Sequence, residues 1–322
     1  MKNNVAYGIS WIPVSLIQSF MKSEWNFLDY TRRQLTYEEV NLKKPKVIIS
    51  FRAPPNQLLD TGNVKWVISP GAGIDNISLD EIRKNKITLI NNHANSSTVA
   101  EQAWALLLNA AKKINKYDTI VRSQGLWPDR SSQIKDVNTE LKNKTIGILG
   151  YGPIAQKIEK YANAFAMEHI IFRRNPTQTQ FHFTKLLDEA ENLDVLILAC
   201  PLTPETKEII SEDIIENLPA HCILVNIARG ELIDEEAVFD ALREGKIHSY
   251  ASDVWKNSPV IKNEKGTKPI ELIEVPNLII SPHRAWISNE SHIKVAEQIA
   301  FELDSIAKGI KSSNIVDLSL EY

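Results

Sequence analysis

Three short stretches carry residue types that chemistry can use. The first is Gly150-Tyr151-Gly152-Pro153-Ile154-Ala155, placed directly after the apolar run Thr145-Ile146-Gly147-Ile148-Leu149 and directly before a helical pattern. Glycine at the first position permits a tight turn, and glycine at the third lets a pyrophosphate approach the backbone. A small residue at the sixth lets helix and strand pack closely. The N–H groups of the helix start then face phosphate oxygens, and Pro153 costs little there because its missing donor would be unpaired anyway. Alone the pattern is weak and fits a structural turn. Between a strand and a helix, at the head of an alternating series, it predicts dinucleotide binding.

The next strand candidate closes on Arg173-Arg174-Asn175, and Arg173 lies 21 positions beyond Gly152. A residue about 20 positions past such a turn decides between the two nicotinamide dinucleotides. An acidic side chain there would hold the ribose hydroxyls. Two arginines and an asparagine are donors suited to a 2′-phosphate. The expected cofactor is therefore NADP(H), with NAD(H) as the lesser possibility. The bland alternative is a solvated basic loop.

The other two stretches end strands. Arg229 follows the apolar run Cys222 to Ala228, and His283 follows Leu278 to Ser281 and Pro282. Ligands of open α/β sheets bind at the carboxyl ends of strands. A guanidinium there can hold a carboxylate and a carbonyl oxygen in fixed fork geometry. An imidazole can give or take a proton near neutral pH. Standing alone, the arginine reads as a surface ion pair and the histidine as structural.

The elements that must hold these residues form two alternating series. In the first ninety residues, 47–51, 65–69 and 87–90 read as buried strands, and 56–61 and 79–85 as short helices. Residues 122–143 are polar and read as a connecting loop. A second series has strands at 145–149, 169–172, 194–200, 222–228, 249–254 and 278–281, with helices at 154–165, 211–218 and 234–244. Between the series, Val99 to Lys113 is apolar on most sides, with a capping box read at Ser97 or Thr98 and Glu101. A helix packed between domains or subunits has that character. A final amphipathic helix is predicted over 288–309.

The chain has 322 residues, 43% hydrophobic and 24% charged, with a formal net charge of −3. This suits two soluble domains and excludes wholesale disorder. The charge balance advertises neither nucleic acid nor an acidic membrane surface. No run is long enough to span a bilayer. The two cysteines, Cys200 and Cys222, lie in apolar runs and read as buried free thiols in a reducing compartment. No metal site is expected. Glycine is scarce, 12 in all, and six of them (71, 73, 147, 150, 152 and 230) lie in or beside loops expected to meet ligand.

Taken together, the motifs resemble those of the D-isomer-specific 2-hydroxyacid dehydrogenases, the family of glyoxylate/hydroxypyruvate reductases and phosphoglycerate dehydrogenase. The matching stretches are Ser69 to Ile77, Asn95 to Glu101, Thr145 to Ala155, Pro201 to Thr206, Val225 to Gly230, Ala251 to Val254 and Pro276 to His283. The resemblance implies two Rossmann-like or flavodoxin-like α/β domains with parallel sheets and an active site in the inter-domain cleft. Residues 1–94 and 287–322 would form a discontinuous substrate-binding domain, and 95–286 the dinucleotide-binding domain. It implies hydride transfer between NADP(H) and a small 2-keto or D-2-hydroxy acid. Arg229 would bind and polarise the substrate, with His283 as acid/base. Arg52, Ala72 and Gly73 would contact substrate, and His93 is a weaker candidate. Thr98, Cys200, Pro201, Thr206, Ile227, Ala228 and Asp253 would join the phosphate turn around the cofactor. A cytoplasmic homodimer, packed through the nucleotide domain and its apolar helix, is the expected assembly.

One position departs from the pattern. The family pairs its histidine with a glutamate just before a proline, and here that position is Ser258 in Asp253-Val254-Trp255-Lys256-Asn257-Ser258-Pro259. Ser258 or a water would orient the imidazole less strongly, or Glu264 or Glu271 would substitute. The departure leaves open a second class of function: a dinucleotide-binding sensor or corepressor-like protein with little turnover.

Overall fold

All paired strands among the described residues run parallel, and the central strands bury both faces and need helices on either side. The structure, a computed structural model, describes residues 3–32, 36–52, 54, 56–59, 62–125, 127, 136–256 and 275–320. The chain divides into two compact units, 1–95 with 287–322, and 96–286.

In the first unit the strands are β1 (Asn3–Tyr7), β2 (Trp25–Asp29), β3 (Val47–Ile49), β4 (Trp66–Ile68) and β5 (Thr88–Ile90), in the order β2-β1-β3-β4-β5. Helices α1 (Val14–Phe20), α2 (Tyr37–Lys43), α3 (Asn56–Leu59) and α4 (Leu79–Lys84) connect them. The chain returns after the second unit as a long helix, Asn289–Lys308. Its Val295, Ile299 and Leu303 pack with Val5, Tyr7, Val47 and Ile49 on one face of the sheet. Ala6, Ile48, Val67 and Leu89 point into the core on the other face. This is the period-two alternation of a strand buried on both sides.

The second unit opens with α5 (Ser96–Lys112) and α6 (Ile114–Gln124). Its strands are β6 (Thr145–Leu149), β7 (Glu168–Arg173), β8 (Phe181–His182), β9 (Val195–Leu198), β10 (Ile223–Asn226), β11 (Ser249–Ser252) and β12 (Leu278–Ile280). Between them run α7 (Pro153–Ala164), α8 (Leu186–Glu189), α9 (Glu212–Asn217) and α10 (Glu235–Arg243). The helix 289–308 is α11. The strand order is β12-β11-β10-β9-β6-β7-β8, which reverses between β9 and β6, the switch point where doubly wound sheets bind ligands. Two helix boundaries have a chemical cause: the Asp234 side chain accepts from Ala237 N–H at the start of α10, and Gly309 closes α11 in the left-handed region.

Three expectations need correction. Helix α5 already begins at Ser96, so Thr98 and Glu101 lie inside its first turns and form no capping box at its start. Its apolar surface is consumed within the unit: Val99, Ala103, Leu107 and Ala110 join the core with Ile146, Ile148, Ile197 and Val225. Trp104 meets Tyr161 and Phe165 edge to face. No partner subunit is needed to explain that face. Gly147, counted among the ligand loops, lies inside β6, where a Cβ would stand 2.9 Å from Leu193 Cδ1. Its smallness serves packing.

Both cysteines are buried free thiols. No described helix is long and apolar enough to cross a membrane, and no metal-binding cluster of His, Cys, Asp and Glu occurs among the described residues.

Candidate active site

The turn after β6 passes hard against the end of β9. Gly150 has φ +100°, and a Cβ there would stand 2.6 Å from the Ala199 carbonyl oxygen, so only glycine fits without strain. Gly152 caps α7 with no side-chain hydrogen bond, and Pro153 occupies the first helical position. The space over Gly152 Cα is open, with nothing within 4 Å of a notional Cβ. The first N–H groups of α7 have no intrahelical acceptor. Ala155 is fully buried between helix and sheet, and Ile154 is half-buried. An anionic ligand fits this cradle: donors, no Cβ in the way and a helix dipole of the right sign.

Around the turn, Tyr151 donates its phenol proton to Glu159 Oε2 at 2.7 Å, and that carboxylate raises the phenol pKa. Arg173 and Arg174 are half-buried and Asn175 is exposed. After β9, Cys200 is buried, its thiol pushed up to about 12 by desolvation, while Pro201 is exposed. The buried Thr206 hydroxyl donates to Pro201 O at 2.7 Å and accepts from Thr203 N–H at 2.8 Å. Its visible work is to hold the 201–206 turn.

Arg229 and His283 stand on two loops that share one support. Arg229 has extended backbone, is half-buried, and its Nη1 donates to Ala228 O at 2.6 Å. The loop is shaped by the buried Asn226 at the end of β10. Its Oδ1 accepts from Ala228 N–H at 3.0 Å and its Nδ2 donates to Arg229 O at 2.8 Å. Ile227 and Ala228 are buried beside it. At Gly230 a Cβ would overlap the backbone of Trp255 and Lys256, so the Arg229 loop rests directly on that segment.

His283 rests on the same segment. Its φ is +55°, unusual for a residue with a side chain, and its N–H donates to Asp253 O at 2.9 Å. Asp253 is buried. Its Oδ1 accepts from the Ser281 hydroxyl and from Arg284 N–H (2.8 Å), and its Oδ2 from Ala285 N–H (2.9 Å). Gln102 Nε2 donates to Ser281 Oγ at 3.1 Å, and Trp255 Nε1 to Ser281 O at 3.1 Å. Asp253 N–H in turn donates to Asn226 O at 3.0 Å. Asp253, expected at the cofactor, thus has both carboxylate oxygens engaged by the histidine loop. The geometry gives it a holding task. Thr98 is half-buried in the first turn of α5, and Ser258, with Glu264 and Glu271, lies outside the described residues.

In the first unit, Arg52 is exposed after β3, in a turn closed by Ser50 Oγ donating to Arg52 O at 2.9 Å. The carbonyls of the 71–73 turn are tied inward. Asn92 N–H donates to Gly71 O (3.1 Å) and Asn91 Nδ2 to Ala72 O (3.1 Å). His93 is half-buried, and desolvation lowers its pKa, which favours the neutral imidazole.

Sequence reading gave no role to Asn226, Ser281, Gln102 or Glu159. Asn226 was visible as the polar end of an apolar strand. The others act between separate elements, Gln102 on Ser281, Ser281 on Asp253 and Glu159 on Tyr151 and His169, where local pattern carries no signal.

A family model for the NAD binding domain of D-isomer specific 2-hydroxyacid dehydrogenases matches residues 104–285. Glyoxylate/hydroxypyruvate reductase A of Arabidopsis thaliana is 30% identical over 263 residues, covering 81% of this chain and 80% of the relative. D-3-phosphoglycerate dehydrogenase of Bacillus subtilis is 30% identical over 264 residues, covering 80% of this chain. The match spans about half, 48%, of that relative's length. Among solved structures, an NADPH-dependent glyoxylate/hydroxypyruvate reductase of Sinorhizobium meliloti, in complex with NADP and malonate, superposes with a TM-score of 0.81 at 21% identity. That superposition covers 99% of this chain and 98% of the other.

Proposed function

Because the chain belongs to the D-isomer-specific 2-hydroxyacid dehydrogenase family, we propose that it reduces a small 2-keto acid of the glyoxylate or hydroxypyruvate type to the D-2-hydroxy acid. NADP(H) is the preferred cofactor over NAD(H). The observation that carries this reading is the shared support of Arg229 and His283 on the Asp253–Lys256 segment, at the carboxyl edge of the sheet that also bears the Gly150 turn.

When bound, the dinucleotide supplies or takes up the hydride. Arg229 holds the substrate carboxylate and polarises the carbonyl at C2, lowering the cost of the developing alkoxide. His283, as imidazolium, gives that oxygen its proton, and as imidazole takes it back in the oxidative direction. The N–H groups of Ala72 and Gly73 are further carboxylate donors, and Arg52 is a further cation for the substrate. Residues 1–95 with 287–322 are thus the substrate-binding unit and 96–286 the dinucleotide-binding unit.

Ser258 stands where the family has its glutamate, and a carboxylate at that position would stabilise the imidazolium. Reduction needs the protonated ring. Ser258→Glu is expected to move the alkaline limb of reduction to higher pH. A profile that stays in place overturns the argument.

The decisive experiment is a spectrophotometric assay with NADPH and NADH against a panel of 2-keto acids. Turnover with glyoxylate or hydroxypyruvate supports the reductase. Dinucleotide binding without any turnover supports the sensor that Ser258 first suggested. The two free thiols fit the cytoplasm. Homodimerisation remains part of the proposal, moved from α5 to the exposed apolar side chains Ile114, Trp127 and Val137 of the second unit. A monomer by sedimentation at assay concentration removes it.

A further inference from the structure

The two arginines after β7 are held in different ways. Arg174 Nη2 lies 2.8 Å from Glu205 Oε2, so a carboxylate already neutralises it. Arg173 lies over the ring of Tyr151, its guanidinium carbon 5.5 Å from the ring centroid. Its Nη1 reaches Gln180 Oε1 only at 3.5 Å, and no carboxylate pairs with it among the described residues.

Tyr151 is the residue between the two glycines of the phosphate turn, and its ring is fixed from its far end. The phenol donates to Glu159 Oε2 at 2.7 Å, and Glu159 Oε1 faces His169 Nε2 at 3.1 Å. Glu159 belongs to α7 and His169 to β7, so the two elements flanking the turn brace the ring together. A guanidinium within cation–π range of an aromatic face keeps N–H donors for another partner. The contact also limits the side-chain freedom that an exposed arginine would lose on gripping a ligand.

On the reading that the second unit binds NADP(H) with Arg173 at the 2′-phosphate, which this deepens, we propose that Tyr151, between the two glycines of the turn, holds Arg173 in place for that phosphate. Tyr151 is the positioning residue that presents it, and Arg174, held by Glu205, contributes less. Discrimination between the two dinucleotides therefore starts inside the phosphate turn, at a position whose usual task is only to fill the space between glycines.

The test measures dissociation constants of the whole chain for NADPH and NADH by the fluorescence of the reduced nicotinamide, without keto acid. Arg173→Ala is expected to weaken NADPH by about 10- to 100-fold, the loss of charge-assisted hydrogen bonds, and to leave NADH within about 2-fold. Arg174→Ala costs NADPH less. Tyr151→Ala weakens NADPH by about 2- to 5-fold, the size of an exposed cation–π contact, with NADH unchanged. Tyr151→Phe keeps the ring and restores most of the loss. Damage to the turn itself would strike both dinucleotides alike, so the NADPH/NADH ratio is the discriminating readout. The proposal is overturned if Arg174→Ala costs NADPH as much as Arg173→Ala, or if Tyr151→Ala leaves the ratio unmoved. It is also overturned if the unaltered chain binds NADH as tightly as NADPH. A chain that binds neither dinucleotide overturns the functional reading beneath it.

Discussion

Between Gly150 and Ala155 the turn after β6 needs six consecutive residues and, from elsewhere, little more than the Ala199 carbonyl it rests against. The platform under Arg229 and His283 draws on Gln102, Asn226, residues 252–256 and residues 281–285. The turn's demands are conformational: one positive φ, one open Cα, one small buried side chain. The platform's demands are electrostatic: buried acceptors and donors that must all be met at once. A backbone requirement falls on single positions and is felt locally. A polar network spreads its requirement over distant segments, and its failure appears as lost aim.

This contrast can be broken by experiment. The largest effect is expected at the platform's product. His283→Asn should lower reduction by roughly 10²- to 10⁴-fold while NADPH affinity stays put, which steady-state kinetics and a binding titration would check together. Asp253→Ala should come next. It leaves the N–H groups of Arg284 and Ala285 and the Ser281 hydroxyl without their acceptor. Stability should fall by about 1–3 kcal/mol in urea unfolding, and turnover should fall roughly tenfold or more through loss of the histidine's aim. NADPH affinity should barely move. If that affinity collapses instead, Asp253 is a cofactor ligand and the two regions are not separable.

Gly150→Ala should act in the opposite sense, costing about 1–3 kcal/mol from a strained φ and a clash with Ala199 O. Dinucleotide affinity should drop with it. Gly152→Ala should be the smallest. Open space receives its methyl group, so thermal stability should stay within about 0.5 kcal/mol and only dinucleotide affinity should suffer. A large stability loss there would mean that Gly152 serves the fold rather than a ligand.

The same contrast explains what sequence could reveal. The predicted strand 145–149 and the turn after it match the structure residue for residue, because strand, turn and helix signals lie side by side. The predicted strands 194–200, 222–228 and 249–254 were each recognised but shortened by two or three residues in the structure. Their last apolar or small residues, such as Ile227 and Ala228, are buried in loops rather than paired. The elements β1, β2, α1 and α2 were not singled out. Helix α2 buries only Val40, although its capping box between Thr36 and Glu39 was legible. Helix α6 was not singled out: Ile114, Tyr117, Ile120 and Val121 recur at helical spacing, yet none of its residues is buried. The types and places of Arg229 and His283 were readable as strand-end residues. Their support was not, because Asn226, Asp253 and Ser281 meet only after the sheet has formed.

The return of the chain to its first unit has a consequence for how the protein is made. Helix α11 lies beyond the whole second unit, yet its Val295, Ile299 and Leu303 cover the face of β1 and β3. During synthesis the first sheet leaves the ribosome with that face bare and must wait while residues 96–286 are translated. At about 5–20 residues per second that wait lasts on the order of ten seconds or more. The second unit, contiguous in the chain, can close its own core within that interval. The half of the molecule that is made first is therefore completed last, and a nascent chain stalled before residue 289 would carry a finished nucleotide unit beside an unfinished, aggregation-prone sheet.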